Sequence, residues 1–266
     1  MGRVLGIMAV IAAGGFAFWF LTSYKKPAPA PVRRLDAQAL PVVQAPDAQA
    51  APQILHPIEN VAVEPPGRPL PGLDDSDALM RERMSKLFGV KKLGEFFFLE
   101  RIIRRVVATI DNLPRDGVAT DLWPLKPVST EFLVSQDGKG MAISPRNPVR
   151  YNSRVELAES IEPKKLVALY VRHYPLFQKA YQELGYPQGY FNDRLIEVID
   201  HLLSTPETPE PIKLVQPRVR YEYADPVVQA RSPGQKILTR MGREHTARIK
   251  NILREIRAEV TGQRVR

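Results

Sequence analysis

The stretch EFFFLERIIRRVVATID, residues 95–111, decides the fold. Its apolar side chains recur at the three- and four-residue spacing of an amphipathic helix, and together they cover a wide face. Arginines occupy the remaining side, and Pro114 ends the pattern. The sequence therefore predicts a helix from about Glu95 to Asp111. The apolar positions are Phe97, Phe98, Leu99, Ile102, Ile103, Val106, Val107 and Ile110.

On the N-terminal side, the run Leu73-Asp74-Asp75-Ser76-Asp77 has the signature of a helix start. Acidic residues favour the first turn, and Leu73 can act as a hydrophobic staple. This helix is predicted to end at Gly89, and the soluble domain to cover residues 73–266. The apolar stripe consists of Leu79, Met84, Leu87 and Phe88.

Residues 25–72 are dense in Pro and Ala and poor in aromatic side chains. Such a composition cannot bury enough apolar area to fold, so the stretch is predicted to be a disordered linker. As a coil, roughly 46 such residues reach about 40 Å. A passive spacer is favoured over a Pro-rich docking site.

Residues 4–24 (VLGIMAVIAAGGFAFWFLTSY) carry no charge. About 20 apolar residues in a helix cross a bilayer core of about 30 Å. The run is longer than the apolar region of a cleavable signal peptide, and Lys25 and Lys26 follow it. Residues 1–24 are therefore predicted to be a short N-tail and an uncleaved transmembrane signal anchor, with the membrane as partner of residues 4–24.

Two features disagree on the side of the membrane. The basic residues Lys25, Lys26, Arg33 and Arg34 favour a cytoplasmic C-terminal side. A Pro/Ala linker after a signal anchor is instead typical of an exported envelope domain. We expect a single-pass inner-membrane protein with a periplasmic domain, and the flanking charges argue against this orientation.

After residue 115 the helical signals stop for a section. Two short apolar runs, 131–134 and 141–144, flank Asp137-Gly138, and Asp-Gly between such runs indicates a β-hairpin. An isolated hairpin is marginal in water, so we expect this one to pack on the helices. Residues 213–215 and 219–223 are predicted to be short strands or extended arms.

Helical patterns return after residue 160, and the predicted fold class is mainly α (α+β). Pro and Gly set the predicted boundaries. These are a start at Glu162-Pro163, a break at Tyr174-Pro175, an end at Gly185, a helix from Tyr190 to Leu203, a start at Asp225-Pro226 and a C-terminal helix from about Arg243 to Val260.

The positive charge belongs to the C-terminal helix. Residues 231–266 contain 10 basic and 3 acidic residues, and so contribute +7 to a net charge of +9. A solvated basic face on a core helix is favoured over contact with anionic lipid, nucleic acid or an acidic partner. Nucleic acid is disfavoured because it requires a cytoplasmic domain, and the apolar stripe lacks the Trp and Phe typical of lipid contact.

Five segments in order are PLPGLDDSDALMRE (69–82), RRVVATIDNLPR (104–115), YPLFQKAYQELGYP (174–187), FNDRLIEVIDHLLSTP (191–206) and YEYADP…SPGQKILTRMG (221–242). They resemble the bacterial family described as domain of unknown function 3014, across nearly the whole soluble domain. The resemblance implies Proteobacterial origin, an N-terminal membrane anchor and no established activity. It supplies no catalytic residues.

No familiar catalytic signature is present. The absence of cysteine excludes disulfides, thiolate metal sites and cysteine nucleophiles. The sequence contains neither a phosphate-binding glycine loop, nor a G-x-S-x-G elbow, nor an H-E-x-x-H motif. His173, His201 and His245 are far apart in the chain, so the sequence predicts no cofactor and no metal site. A catalytic site assembled from dispersed residues is the open alternative.

Two clusters are candidates for binding a ligand or partner. Arg104 and Arg105 can hold an anion or pair with Asp111 or Asp193, and ion pairing is favoured. The residues before the break at Pro175 form either a binding rim or a plain helix joint, and the joint is favoured. We hypothesise a groove near both clusters. The candidate residues are Arg104, Arg105, Asp111, Asn112, Arg172, His173, Tyr174 and Asp193.

Two further assignments concern helix ends. Asp111 or Asn112 can satisfy main-chain groups where the first helix stops, and Asn192-Asp193-Arg194 is interpreted first as a helix N-cap.

The expected function is a non-enzymatic binding or scaffold module of the bacterial cell envelope, whose partner is a protein or a cell-wall component. The alternative is an envelope hydrolase with a dispersed His/carboxylate site. The sequence leaves the oligomeric state open.

Overall fold

The computed structural model describes residues 53–58, 69–115, 120–138 and 140–262. The predicted anchor and most of the predicted linker lie outside these residues. Within the described ranges, none of the helices combines the length and the apolar character needed to cross a membrane. This part of the chain is mainly helical and carries a four-stranded antiparallel sheet, which confirms the predicted fold class.

The elements are labelled here in chain order. The α-helices are α1 (Ser76–Phe88), α2 (Val90–Phe96), α3 (Ile102–Asn112), α4 (Asn152–Glu159), α5 (Pro163–Arg172), α6 (Tyr174–Glu183), α7 (Phe191–Leu203), α8 (Pro226–Gln229) and α9 (Pro233–Val260). Short 3₁₀ turns cover Thr120–Leu122 and Asn147–Tyr151. The strands are β1 (Val134–Asp137), β2 (Gly140–Ile143), β3 (Lys213–Val215) and β4 (Glu222–Tyr223).

Helix α7 lies between α3 and α9 and contacts both. Helix α9 also packs on α4 and α5, and α3 also packs on α1 and α6. The predicted apolar stripe of the C-terminal helix is buried in this core, where each large aliphatic side chain contributes about 1.5–3 kcal/mol. Its members are Ile249, Ile252, Leu253, Ile256 and Val260.

The helix predicted from Glu95 to Asp111 is wrong in its first half. Helix α2 ends at Phe96, Phe97 forms a β-bridge with Leu125, and α3 begins only at Ile102. The start of α3 is fixed from a distance, because the Asp77 carboxylate accepts the N–H groups of Arg101 (2.6 Å) and Ile102 (3.1 Å). The apolar residues 97–99 therefore lie in a non-helical connection, and their helix-like spacing does not reveal this.

The C-terminal helix begins ten residues earlier than predicted. Ser232 caps it by accepting the N–H of Gln235 at 3.3 Å, with Pro233 at the first helical position. Gly242 interrupts it with φ 81° and ψ 165°, a conformation that favours glycine. Helix α9 is thus two helical pieces, 233–241 and 243–260, and the prediction found only the second.

The predicted hairpin and arms are confirmed as one sheet. β1 pairs with β2, β2 with β3 and β3 with β4, all antiparallel. The sheet has a small apolar cluster of its own around Leu214, Tyr223 and Val228. It is attached to α9 where the Tyr223 hydroxyl accepts a hydrogen bond from Arg240 Nε at 3.1 Å.

Helix α4 was not predicted. Its inner face includes Arg154, which is buried and donates to the main-chain oxygens of Lys126 (3.2 Å) and Pro127 (2.7 Å). A charged residue at an inward position hides the apolar periodicity on which helix prediction depends.

Candidate functional site

A six-residue segment of the predicted linker lies against the start of α7. The segment is QILHPI, residues 53–58. The Asp193 carboxylate accepts two successive main-chain N–H groups, those of Leu55 at 3.0 Å and His56 at 2.7 Å. The linker prediction for 25–72 as a whole stays untested, but these six residues contact the domain.

Two neighbours of Asp193 hold the rest of the segment. The Asn192 side-chain amide donates to the His56 carbonyl at 2.8 Å. The Tyr190 hydroxyl accepts the Ile58 N–H at 2.9 Å, and the Ile58 side chain packs on the core. Tyr190, Asn192 and Asp193, which we call the α7 site, thus bind four main-chain groups of a segment that bends at Leu55 and His56.

The α7 site is arranged by buried groups beneath it. Asn192 is 0% exposed, and its amide oxygen accepts a hydrogen bond from Tyr170 at 3.1 Å. The Tyr174 ring lies 5.4 Å from that of Tyr190, and its hydroxyl donates to Gln178 at 2.8 Å. Burial raises the pKa of Tyr174, which therefore stays protonated as a hydrogen-bond donor.

Beside the α7 site, Asp111 joins α3 to α7. Its carboxylate lies 2.9 Å from Arg194 Nε and 3.0 Å from Arg115 Nη2, and it accepts the Tyr186 hydroxyl at 3.2 Å. The side chains of Asp111 and Arg194 are only 4% and 13% exposed. Burial opposes the charge on Arg194, but its bonds to Glu197 and Asp111 outweigh this and raise its pKa. The candidate Asp111 is therefore part of a structural ion pair.

Arg194 and Asp193 do not form the predicted N-cap. The cap position of α7 is Tyr190, which makes no side-chain cap bond. The Asp193 carboxylate is occupied by the segment 53–58, and Arg194 by Asp111. The other prediction was that Asp111 or Asn112 satisfies main-chain groups at the end of α3. It agrees better with the structure, because Asn112 donates to the Ala108 carbonyl at 2.7 Å, within the last turn of the helix.

Arg104 and Arg105 are engaged elsewhere. Arg104 forms ion pairs with Asp74 at 2.7 Å and with Glu183, so the expected pairing occurs but not with Asp111 or Asp193. Arg105 donates to main-chain oxygens, at 2.9 Å to Glu100 and at 2.6 Å to Asp121. Both arginines line a cleft of about 150 Å³.

The two clusters that the hypothesised groove would join lie at opposite ends of α6. Arg104 binds Glu183 at the C-terminal end of α6, whereas Arg172 and His173 precede its first residue. A helix rises 1.5 Å per residue, so about 13 Å separates the two ends. Of the predicted residues, the structure brings Tyr174 and Asp193 together at the α7 site, and Arg104 and Arg105 at the other cleft.

The histidines serve packing and internal hydrogen bonds. His173 is 1% exposed, its Nδ1 lies 2.7 Å from the Leu169 carbonyl, and burial lowers its pKa. Nδ1 therefore carries the proton, and the buried Nε2 has no hydrogen-bond partner among the described residues. His245 Nε2 lies 2.8 Å from the Asn152 side-chain oxygen.

His201 makes the contact nearest to a catalytic arrangement. Its Nε2 lies 2.8 Å from Ser232 Oγ. Ser232 is 9% exposed and caps α9, so its hydroxyl already has a structural role. In the described part of the chain, no three His, Cys, Asp or Glu side chains come together in a way that could hold a metal ion.

Sequence reasoning found Asp193 and Tyr174 and interpreted Asn192 first as part of a helix N-cap, but it missed Tyr190 and the segment that these residues bind. The available signal was the concentration of Ile54, Leu55 and Ile58 within a stretch otherwise dominated by Pro and Ala.

A family model described as "Protein of unknown function (DUF3014)" matches residues 102–257. This is more than half of the chain, so the protein belongs to that family. No curated protein and no solved structure matches the chain. The matched range contains all three residues of the α7 site but not the segment 53–58 that they bind.

Proposed function

We propose that this member of the DUF3014 family is a membrane-tethered, non-enzymatic binding module of the bacterial cell envelope. Its domain binds a short peptide segment of a protein partner at the α7 site. In the described structure the chain's own residues 53–58 occupy that site, so partner binding would displace them.

One observation carries this proposal. Three side chains at the start of α7 engage four main-chain groups of one short, bent segment, while an apolar side chain of that segment packs on the core. Hydrogen bonds to the main chain give affinity for a peptide that adopts this bent conformation, and a contact with one side chain gives selectivity. Ile58 supplies that selective contact in the bound segment.

The bound segment also presents apolar surface to the solvent. Ile54 is 49% exposed and Leu55 is 67% exposed, although both belong to a segment with fixed main-chain bonds. Large exposed apolar side chains on an ordered segment favour contact with a further protein surface. A partner would therefore first contact Ile54 and Leu55 of the bound segment and then displace the segment from the α7 site.

The membrane and envelope parts of the proposal are supported by the sequence. Residues 4–24 are uncharged and long enough to cross a bilayer, and residues 25–52 are rich in Pro and Ala. With residues 53–58 bound to the domain, the free linker after the anchor shortens to about 28 residues, or about 30 Å as a coil. The basic flank at Lys25 and Lys26 argues against the periplasmic orientation.

Peptide binding in trans tests the proposed function. A fluorescent peptide with the sequence of residues 51–60 is titrated into the full chain in detergent micelles. Ile58→Asp in the chain weakens its own segment, so this variant should bind the peptide more tightly than the wild type. Adding Asp193→Ala should abolish that binding, whereas Asp200→Ala, two turns further along α7 and paired with Arg257, should not. Equal binding by all variants would refute the proposal.

A reporter fusion tests whether the domain is exported to the periplasm. An alkaline phosphatase fusion after Arg266 should be active if the domain is periplasmic. An inactive fusion together with a fluorescent cytoplasmic reporter at the same position would place the domain in the cytoplasm instead.

The second candidate, an envelope hydrolase, is supported by the 2.8 Å contact between His201 and Ser232. Attack by Ser232 would remove the cap of α9, which weighs against it. A fluorophosphonate probe separates the two functions. Labelling that Ser232→Ala eliminates would favour the hydrolase, and an unlabelled full chain would favour the binding module.

A further inference from the structure

A second polar site lies past the C-terminal end of α7, where a cleft of about 270 Å³ opens between residues 205–212 and α9. A cavity needs only about 10–15 Å³ to hold one water molecule, so this cleft has room for a larger ligand. Threonine hydroxyls and basic side chains line much of it, and Glu207 and Glu210 also line it.

The five basic residues in the second piece of α9, residues 243–260, fall into two sets. Arg243, Lys250 and Arg254 line the cleft, and their spacing of seven and then four residues places them on one face of the helix. Arg248 and Arg257 lie elsewhere and are matched by carboxylates, since Arg248 Nη2 is 2.5 Å from Glu159 and Arg257 Nε is 2.6 Å from Asp200. The second set is therefore neutralised within the protein.

The positive charges of the residues that line the cleft, Arg243, Lys250 and Arg254, are not neutralised by carboxylates in the same way. Lys250 Nζ donates to the Thr205 carbonyl at 2.6 Å, and Arg254 Nη1 donates to the Asn251 side chain at 2.6 Å. Neither forms an ion pair with a described residue. Arg243 comes no closer than 3.8 Å to the exposed carboxylate of Glu207.

A fourth cation lies behind the wall of the cleft. Arg231 Nη1 donates to the hydroxyls of Thr208 (2.6 Å) and Thr239 (2.9 Å), and both threonines line the cleft. Four cations against the carboxylates of Glu207 and Glu210 leave two positive charges in excess. Burial lowers the pKa of Lys250, and the charges of Arg254 and Arg231 lower it further, whereas Glu207 opposes them. An anion bound in the cleft would reduce the electrostatic repulsion among these positive charges.

We infer that the cleft is a binding site for a phosphate group, held by Lys250 and Arg254 with Arg243 at its entrance. Charge-assisted hydrogen bonds from ammonium and guanidinium groups are the strong interactions by which proteins hold phosphate. The phosphate can belong to a soluble compound or to a lipid headgroup. The inference is independent of the α7 site.

Titration of inorganic phosphate into the full chain in maltoside micelles tests whether the cleft binds phosphate. Binding should be saturable, and Lys250→Gln or Arg254→Gln should weaken it about tenfold, the ratio for one charge-assisted hydrogen bond. Arg248→Gln removes the same charge from the matched set of α9 and should change affinity by less than about twofold. Arg254 is exposed, so its substitution spares the fold even if that of Lys250 does not.

Micelles doped with phosphatidylglycerol separate the two sources of phosphate. If the headgroup is the ligand, doping should abolish the binding of free phosphate and protect the amides of residues 243–254 from exchange. If the ligand is soluble, doping should leave phosphate binding unchanged. Equal weakening by all three substitutions, or no saturable binding in either micelle, would overturn the inference.

Discussion

The start of α7 and the cleft beside α9 both gather polar side chains, but they differ in how those groups are matched. At the α7 site, Asp193, Asn192 and Tyr190 are engaged by main-chain groups that the chain itself supplies. In the cleft, Lys250 and Arg254 face a cavity without a described carboxylate partner. In the first region the chain itself supplies the hydrogen-bonding partners, whereas in the second the two basic side chains form no ion pair with a described residue.

The largest expected effect comes from removing Asp111, whose ion pair with Arg194 supports the α7 site. Asp111→Ala leaves Arg194 with only the exposed carboxylate of Glu197, and loss of one member of a buried ion pair costs about 3–5 kcal/mol. Urea unfolding of the full chain should show a loss of about 3 kcal/mol. Asp74→Ala, which removes a carboxylate that is 87% exposed, should cost less than about 1 kcal/mol. Equal losses would mean that the Asp111 network is not the support proposed here.

Substitution of Asp193 should have a smaller effect, confined to the α7 site and the segment 53–58. Asp193→Ala removes the acceptor of two main-chain N–H groups, and hydrogen bonds to a charged group contribute about 1.5–3 kcal/mol each. Amide exchange at Leu55 and His56 should accelerate at least about tenfold, while exchange in α3 and α9 changes little. Exchange that is already fast at these amides in the wild type would show that the segment is not bound.

Acid should destabilise the domain through its buried histidines. Burial lowers the pKa of His173, His201 and His245. The unfolded chain, with a histidine pKa of about 6.5, therefore binds more protons than the folded chain below that pH. This stabilising contribution is complete above about pH 6.5 and is lost as the pH falls towards the lowered folded values.

The urea midpoint should thus decrease between about pH 7.5 and about pH 5.5. His173→Asn keeps a donor for the Leu169 carbonyl but cannot titrate, so its midpoint should decrease less. An identical pH dependence in the variant would exclude His173 as a contributor.

The smallest effect concerns the two sets of basic residues on α9. Arg257→Gln should cost up to about 1 kcal/mol because it breaks a pair with Asp200, whereas Arg254→Gln should change stability by less than about 0.5 kcal/mol. Thermal unfolding at low ionic strength compares them. A larger loss for Arg254→Gln would mean that this arginine has a structural rather than a ligand-binding role.

Sequence patterns predicted the parts of the fold that depend on local chemistry. The break between α5 and α6 and the start of α7 follow from Pro175, Pro187 and the aromatic residues around them. The start of α3 could not be predicted in this way, because its cap is Asp77, 24 residues earlier in the chain. The interruption at Gly242 likewise depends on the close approach of Pro148, 2.7 Å from where a Cβ would lie.

The α7 site was predictable only in part for the same reason. Asp193 was a candidate as a carboxylate near a helix start, but the groups that it binds lie 137 and 138 residues away. Main-chain N–H groups are present at nearly every position and leave no sequence signature. Compositional bias assigned residues 53–58 to a linker, whereas the fixed side chains of the domain provide their binding site.

The central claim, that the α7 site reversibly binds a short peptide segment, is tested most directly by a distance measurement. The chain has no cysteine, so cysteines replacing the exposed Leu55 and Glu197 carry the only two spin labels. In the full chain we expect one narrow distance, which broadens when excess peptide with the sequence of residues 51–60 displaces the segment. A distribution that is broad without peptide, or a narrow one that excess peptide leaves unchanged, would contradict the account.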